Sequence, residues 1–284
     1  MRLHGWGHWV TSPQGEELRR ATDRLNLVSA TPRLDAEILL SHALGISREA
    51  LLLGSHVVPD GFQSLIARRL AYEPIAYIIG TRDFWTVTLK VAPGVLIPRP
   101  DSETLIEAAV AYFGKIGPRR VLDLGTGSGA LLLAALDHWP AATGVGTDTS
   151  DAALSIARAN VEAIAPGRAE TRIGGWEGTG DTFDLILCNP PYVATGEALP
   201  RVVVDWEPAC ALFAGEDGLD NYRVLAKVLR PQLVPAGIAC IEIGHEQLEA
   251  VTALFEVQGF KVDCRADLAG RDRCLVVSGN ASPK

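Results

Sequence analysis

Four consecutive residues, Asn189, Pro190, Pro191 and Tyr192, directly follow an apolar segment at residues 183–188. The Asn189 side-chain oxygen and the Pro190 carbonyl can each accept one N–H of a planar NH₂ group, and the fixed proline torsions keep these acceptors in place. The nitrogen of such a group is a poor nucleophile, so an enzyme must orient it for in-line transfer of a chemical group to that nitrogen. Tyr192 can pack against the flat face of the NH₂-bearing group. The alternative is a proline-rich turn that simply ends a strand.

A second segment combines glycines with the end of a predicted strand. The apolar residues 121–124 run into a loop that consists of Gly125, Thr126, Gly127, Ser128 and Gly129. Glycines permit a sharp turn and let a ligand approach the free amides that open the following helix, so a nucleotide-like ligand is expected. The spacing also fits the dinucleotide pattern G-x-G-x-x-A, and the loop alone does not distinguish NAD from S-adenosylmethionine (SAM).

Three further side chains are candidates for ligand contacts. Asp148 lies roughly 20 residues after the glycine loop, where an acid commonly binds the ribose hydroxyls; the alternative is an N-cap of the next helix. Asp123 could support the glycine loop or contact the amino group of the methionine part of SAM. Trp176 follows the third strand and could stack on adenine, or it could belong to the core.

The pattern of apolar residues predicts the elements that position these groups. Residues 14–77 show helical spacing, residues 83–98 alternate as in a β-hairpin, and strand-like and helical segments then alternate to the C-terminus. We therefore predict a helical domain at 1–80, a hairpin linker at 81–98 and an α/β domain at 99–284. Its sheet is expected to have seven mostly parallel strands and an antiparallel C-terminal edge. The predicted strands are 120–124, 143–147, 169–173, 183–188, 238–243, 260–265 and 274–278.

Composition limits the classes of protein that remain. The 284 residues carry a net charge of −8, which argues against bare nucleic acid as the main partner, because phosphate neutralisation needs clustered Lys and Arg. No apolar run suits a signal peptide or a membrane span, so we expect a cytoplasmic protein with no membrane partner, acting as a monomer. The five cysteines form no C-x-x-C pair and are expected to be reduced packing residues. His4 and His8 could share a metal, but no third ligand accompanies them, and no metal site is predicted.

Together and in order, these features resemble the HemK/PrmC family of protein-(glutamine-N5) methyltransferases, which modify class-I peptide chain release factors. The resemblance covers nearly the whole chain. Beyond the motifs above, it is carried by residues 74–80, 84–85, 96–103, 207–208, 214–219 and 242–244. Amino-methylases of DNA and RNA share the Asn-Pro-Pro-Tyr motif alone. The Ile-Pro-Arg-Pro-Asp segment at 97–101, found together with that motif, is typical of a much smaller set of proteins.

The resemblance implies a helical domain that helps bind the release factor and a Rossmann-like domain that methylates the glutamine of its Gly-Gly-Gln motif, converting SAM to S-adenosylhomocysteine. It implies that residues 125–129, Asp148, Trp176 and Asn189 contact SAM. It also implies that residues 189–192 hold the glutamine amide, with Asn189, Pro190 and Tyr192 as the catalytic group. One departure is Gly175, where the family often has an acid; a contact to the adenine amino group would then be missing or supplied by backbone. A smaller departure is Ser102, where Thr is usual.

Three alternatives differ from this assignment. A sister glutamine methyltransferase acts on a large-subunit ribosomal protein, but it typically lacks the Arg-Pro-Asp pattern found here at 99–101. A nucleic-acid amino-methyltransferase is disfavoured by the acidic charge and the lack of a basic recognition domain. The third alternative is a non-catalytic module that binds SAM or NAD.

Overall fold

A computed structural model describes residues 12–279, and the predicted His4 and His8 pair lies outside this range. The chain divides into two compact units. One unit comprises the described residues up to Gly80 together with Pro200–Trp206, and the other comprises Thr81–Leu199 and the residues from Glu207 onward.

The first unit is helical, as the spacing of its apolar residues predicts. Its helices are α1 (Pro13–Leu25), α2 (Pro32–Leu44), α3 (Arg48–Leu53), α4 (Phe62–Leu70), α5 (Ile75–Ile79) and α9 (Arg201–Val204). Pro32 occupies the first turn of α2, where a missing N–H costs no hydrogen bond, and Gly45 ends that helix with a φ of 66°. Leu18, Leu39 and Phe62 are fully buried between the helices.

Residues 200–206 return to this helical unit from a distant part of the sequence. The Arg201 guanidinium lies 4.2 Å from the centroid of the Tyr72 ring, and Trp206 Nε1 donates to the Ala71 carbonyl at 3.3 Å. The domain ranges predicted from the sequence, 1–80, 81–98 and 99–284, are each continuous and assign residues 200–206 to the α/β domain. A four-residue helix carries too little apolar periodicity to reveal which unit it packs against.

The second unit is built on a seven-stranded sheet. Its strands are β3 (Arg120–Leu124), β4 (Thr143–Asp148), β5 (Ala169–Ile173), β6 (Phe183–Cys188), β7 (Leu233–Glu242), β8 (Phe260–Ala266) and β9 (Asp272–Gly279). Their order across the sheet is β5-β4-β3-β6-β7-β9-β8, parallel from β5 to β7 and antiparallel for the last two pairs. The predicted fold class is confirmed. A separate antiparallel pair, β1 (Thr81–Phe84) and β2 (Val87–Lys90), lies where the alternation predicts a hairpin.

Helices cover both faces of the sheet, which explains why its inner strands, such as β3 and β6, are largely buried and apolar on both sides. The helices are α6 (Glu103–Phe113), α7 (Ala130–His138), α8 (Asp151–Ile164), α10 (Asp220–Val228) and α11 (Leu248–Val257). Val121 and Leu185 pack into one apolar layer with residues of α6 and α7, whereas Leu122 and Ile186 pack into the other with residues of α10 and α11. This alternation follows the two-residue period of a strand.

Candidate active site

The register of three neighbouring strands brings the predicted site residues to one edge of the sheet. Leu124 at the end of β3 pairs with Thr147 of β4 on one side and with Cys188 of β6 on the other. The next residues along the three strands are Gly125, Asp148 and Asn189. The chain leaves β3 toward β4 and later crosses to β6 on the opposite side, so this edge is the switch point at which α/β sheets bind ligands.

The glycine loop is held in place by the two acids of this edge. Asp123 Oδ2 accepts hydrogen bonds from Thr126 Oγ1 at 2.6 Å and from Leu132 N at 3.2 Å. Asp148 Oδ2 accepts from Gly127 N at 2.9 Å. Gly125 and Gly127 have φ values of 70° and 55°, a left-handed conformation that glycine adopts without strain.

Asp123 supports the glycine loop with only one of its two carboxylate oxygens. Its Oδ1 is buried and makes no hydrogen bond within the described part of the chain, and the residue lines the cavity beyond the strand ends. Burial raises the pKa of this carboxyl from its ordinary 3.8 to about 7, against the lowering effect of the Thr126 and Leu132 hydrogen bonds. Such an oxygen suits a cationic donor, because an ammonium group would offset the cost of burying a carboxylate. Loop support, one of the two roles predicted for Asp123, therefore leaves the second oxygen available for a ligand.

Asp148 ends β4 and does not cap the following helix. The cap of α8 is Ser150, whose side chain accepts from Ala153 N. Asp148 Oδ1 accepts from Ser150 N at 2.9 Å. The N-cap alternative is thus wrong for Asp148, which lines the cavity.

Trp176 joins the glycine loop to the Asn-Pro-Pro-Tyr loop. Two edge carbons of its ring lie 3.4 Å from the point that a Cβ at Gly125 would occupy. Its Nε1 donates to Asn221 Oδ1 at 3.2 Å, and Asn221 Nδ2 donates to the Pro191 carbonyl at 2.9 Å. Trp176 is half-buried, packs against one apolar layer of the core and also lines the cavity, so a core position and a contact to a ligand are compatible.

Gly175, the position at which the family often has an acid, also lines the cavity. A Cβ placed at Gly175 would lie 3.2 Å from Glu177 Oε2. An acid is therefore present beside Gly175, supplied from two residues further along the chain.

Asn189 lines the same cavity with a defined amide orientation. Its Nδ2 donates to Ser102 Oγ at 3.1 Å, while its Oδ1 accepts no hydrogen bond from any residue of the described range. Because the NH₂ end is engaged, the oxygen end remains available as an acceptor, as the proposed chemistry requires.

The remaining residues of this loop are placed differently. Pro191 lines the cavity, whereas Pro190 is buried and, like Tyr192 and Gly129, is not among the residues that line it. The Tyr192 hydroxyl donates to Glu242 Oε1 at 3.3 Å. Burial and the nearby Glu242 carboxylate hold the pKa of Tyr192 well above its usual range, so its hydroxyl stays protonated at neutral pH.

One buried glutamate connects the proline segment with the rest of the site. Glu207 Oε2 accepts from Ile97 N at 3.0 Å, and its Oε1 contacts Arg99 Nη2 at 2.5 Å. Pro98 and Pro208, the neighbours of these residues, line the cavity. The sequence showed Glu207 only as part of a resemblance, because a contact across more than a hundred residues leaves no local pattern.

The cavity that these groups share has a volume of about 380 Å³, within the range of small-molecule sites. Besides the residues above, it is lined by Cys210, which is exposed, so the prediction that all five cysteines are packing residues is wrong for this one.

No group of three or more His, Cys, Asp or Glu within residues 12–279 could hold a metal ion. No helix in that range is long and apolar enough to cross a membrane.

Comparisons with known proteins agree with this geometry. Residues 16–80 match the PrmC N-terminal domain, and residues 102–205 match the methyltransferase small domain. Among solved structures, the hMettl16 catalytic domain, determined with the MAT2A 3'UTR hairpin 6, is 19% identical with a TM-score of 0.55, covering 78% of this chain and 83% of that one. A methyltransferase from Pyrococcus furiosus is 20% identical with a TM-score of 0.51, covering 75% and 97%. The fold and the site define a methyltransferase with a Rossmann-like α/β domain.

Curated relatives narrow this class. The release factor glutamine methyltransferase of Rhodospirillum rubrum is 40% identical, covering 94% of this chain and 86% of the relative. The enzyme of the same name from Cereibacter sphaeroides is 41% identical, covering 90% and 97%. The chain belongs to the release factor glutamine methyltransferase family, which confirms the resemblance seen in the sequence.

Proposed function

We propose that this enzyme transfers a methyl group from SAM to the side-chain amide nitrogen of the glutamine in the Gly-Gly-Gln motif of class-I release factors, in the cytoplasm. One observation carries the proposal. The same cavity is lined by Asn189, whose side-chain oxygen is available as an acceptor, and by the glycine loop with Asp123 and Asp148. Family membership supports the choice of a release factor over a ribosomal protein or a nucleic acid.

The residues of the cavity fit SAM. The unpartnered Asp123 oxygen suits the ammonium group of the methionine part, Asp148 suits the ribose hydroxyls, and the Trp176 ring offers a face for adenine. Glu177 beside Gly175 is the acid that we expect near the adenine amino group. SAM, when bound, supplies a sulfonium methyl group for transfer.

The chain's own contribution to the reaction is to bind and orient the acceptor. Asn189, which lines the cavity, accepts one N–H of the glutamine amide through its side-chain oxygen. The second acceptor that we propose is the backbone carbonyl of the adjacent Pro190, whose ring is buried outside the cavity lining. Together they direct the nitrogen lone pair toward the methyl group. The same two acceptors stabilise the positive charge that develops on the nitrogen. No His, Lys or Arg lines the described cavity, and its acids Asp123, Asp148 and Glu177 are assigned to SAM, so we infer that the proton leaves to water after transfer.

The test is incubation of the enzyme with labelled SAM and a purified class-I release factor, followed by mass spectrometry of the Gly-Gly-Gln peptide. We expect one added methyl group on the glutamine. Release factor in which that glutamine is replaced by alanine is the matched control and should take up no label. No label on the peptide, with label on ribosomal protein or RNA supplied in parallel reactions, would refute the proposal.

A further inference from the structure

Asn221, in the first turn of α10, lines the cavity and makes two hydrogen bonds with its side-chain amide. Its Oδ1 accepts from Trp176 Nε1 at 3.2 Å, and its Nδ2 donates to the Pro191 carbonyl at 2.9 Å. The indole N–H can only donate and the carbonyl can only accept, so these partners fix which end of the amide faces each of them. One side chain therefore contacts both a residue that we assign to SAM and a residue of the Asn-Pro-Pro-Tyr loop.

The two prolines limit how this loop can be held in place. Pro190 and Pro191 have no backbone N–H, so hydrogen bonds can restrain this dipeptide only through its carbonyls. The Pro191 carbonyl accepts from Asn221, and the next carbonyl, that of Tyr192, accepts from Gln247 Nε2 at 3.0 Å. The Pro190 carbonyl accepts no hydrogen bond from any residue of 12–279. Side-chain amides thus hold two successive carbonyls and leave the one before them for the substrate.

The hydrogen bond to the Pro191 carbonyl also restrains the Pro190 carbonyl. The Pro190 carbonyl belongs to the planar peptide group that joins Pro190 to Pro191. The ring of Pro191 fixes its φ, so the torsion left free between this peptide group and the Pro191 carbonyl is the ψ of Pro191. The hydrogen bond from Asn221 restrains that ψ. The direction of the Pro190 carbonyl, the second acceptor proposed for the glutamine amide, therefore depends on Asn221.

We propose that Asn221 is a positioning residue that sets the direction of the Pro190 carbonyl relative to SAM, because one amide holds both Pro191 and Trp176. The inference rests on the proposed amide methylation. Asn221 acts on the acceptor through Pro191 and on the cofactor through Trp176. A misplacement of about 1 Å between reacting groups can cost about 100-fold in rate, so a small shift of either partner is expected to slow transfer.

The test measures kcat for methylation of a release factor at saturating SAM and pH 8, together with the Kd for SAM by calorimetry. Asn221→Leu removes both hydrogen bonds at similar side-chain volume. We expect its kcat to fall by about 10-fold to 100-fold and its Kd for SAM to rise by about threefold to tenfold. Asn221→Asp keeps an acceptor for Trp176 Nε1 but removes the donor to the Pro191 carbonyl. Its kcat should fall by about 10-fold or more, while its SAM binding should not weaken.

The exposed Lys227→Gln variant, also in α10, makes the same change in net charge as Asn221→Asp and is the matched control. Its kcat and its Kd for SAM should equal those of the wild type.

A double-mutant cycle tests whether Trp176 acts through Asn221. Trp176→Phe keeps an aromatic ring beside the cofactor and removes the indole N–H. Alone, it should lower kcat by about threefold to tenfold. In the Asn221→Leu background, the same change should alter kcat by less than about twofold, because its partner is already lost. Effects that multiply in the double variant would show that the two residues act independently and would overturn the proposal.

Two further results would overturn the inference without touching the proposed function. One is a folded Asn221→Leu or Asn221→Asp enzyme whose kcat lies within about twofold of the wild type. The other is an Asn221→Asp enzyme in which SAM binding weakens as much as kcat falls, since a general loss of structure would do the same. If Asn221→Leu does not fold, Asn221→Asp decides. A wild-type enzyme that never methylates the release factor would instead refute the proposed function.

Discussion

Replacement of Asp123 by asparagine separates the two roles of this buried acid. The asparagine oxygen can still accept from Thr126 Oγ1 and Leu132 N, as Asp123 Oδ2 does. The NH₂ group then takes the place of the unpartnered Oδ1. The glycine loop keeps its support, while the one oxygen available to a cationic ligand becomes a donor.

The size of the effect on stability follows from the raised pKa. The pKa of Asp123 is about 7 in the folded protein and 3.8 ordinarily, so the folded state binds the proton more tightly and wild-type stability falls as pH rises between these values. At 1.36 kcal/mol per pKa unit, the full cost is about 4 kcal/mol above pH 7 and little below pH 4. Between pH 5 and pH 8 the wild type should lose about 2 to 3 kcal/mol relative to the variant, which does not titrate. This difference is independent of any packing cost of the new amide.

Urea unfolding of the ligand-free proteins at pH 5 and pH 8, followed by tryptophan fluorescence, measures this difference. The exposed Asp151→Asn variant, in the first turn of α8, is the control and should show no such pH-dependent gain. Calorimetric titration should show SAM binding weakened by about 10-fold to 100-fold in Asp123→Asn, the value expected for losing a charged hydrogen bond.

Stability and affinity should therefore move in opposite directions. A variant that binds SAM as tightly as the wild type would exclude the ammonium contact. A variant whose stability relative to the wild type is the same at both pH values would show that the pKa of Asp123 is not raised by burial.

Two more substitutions test the walls of the site. Trp176→Ala should weaken SAM binding by about 10-fold or more, because aromatic stacking on a base contributes about 1 to 3 kcal/mol; an unchanged Kd by calorimetry would place adenine elsewhere. Glu207→Ala leaves Arg99 unpaired and the Ile97 amide without its acceptor, so we expect the free energy of unfolding to fall by about 2 to 3 kcal/mol. Glu207→Gln keeps an acceptor and should lose less in the same urea experiment, and equal losses would contradict the role of the Ile97 hydrogen bond.

The sequence predicts the sheet well because its inner strands are short apolar runs bounded by turn residues. β3, β5 and β6 have the predicted bounds. β4 and β8 each end one residue later than predicted, and β9 begins two residues earlier and ends one residue later. The exception is β7, which begins at Leu233 and not at residue 238. Pro235 and Gly237 interrupt its apolar pattern, and its pairing with β6 shifts register near Phe183, so the first half of the strand carries no periodic signal.

The site is predictable where its residues lie at or shortly after the end of a strand. Asp148 is the last residue of β4 and Asn189 directly follows β6, and the register of parallel strands brings them together. Glu242 and Asn221 act on the same loop from separate elements. Their contacts depend on tertiary packing, which a single sequence does not display, and so the hydrogen bonds behind the loop emerge only from the structure.

The central claim, that the acceptor amide is held at Asn189, is tested most directly by single-turnover methylation with Asn189→Ala. Enzyme saturated with labelled SAM is mixed with release factor, and the label on the Gly-Gly-Gln peptide is followed over time. We predict a transfer rate lower by about 100-fold or more, with SAM affinity roughly intact. A rate within a few-fold of the wild type would contradict the account.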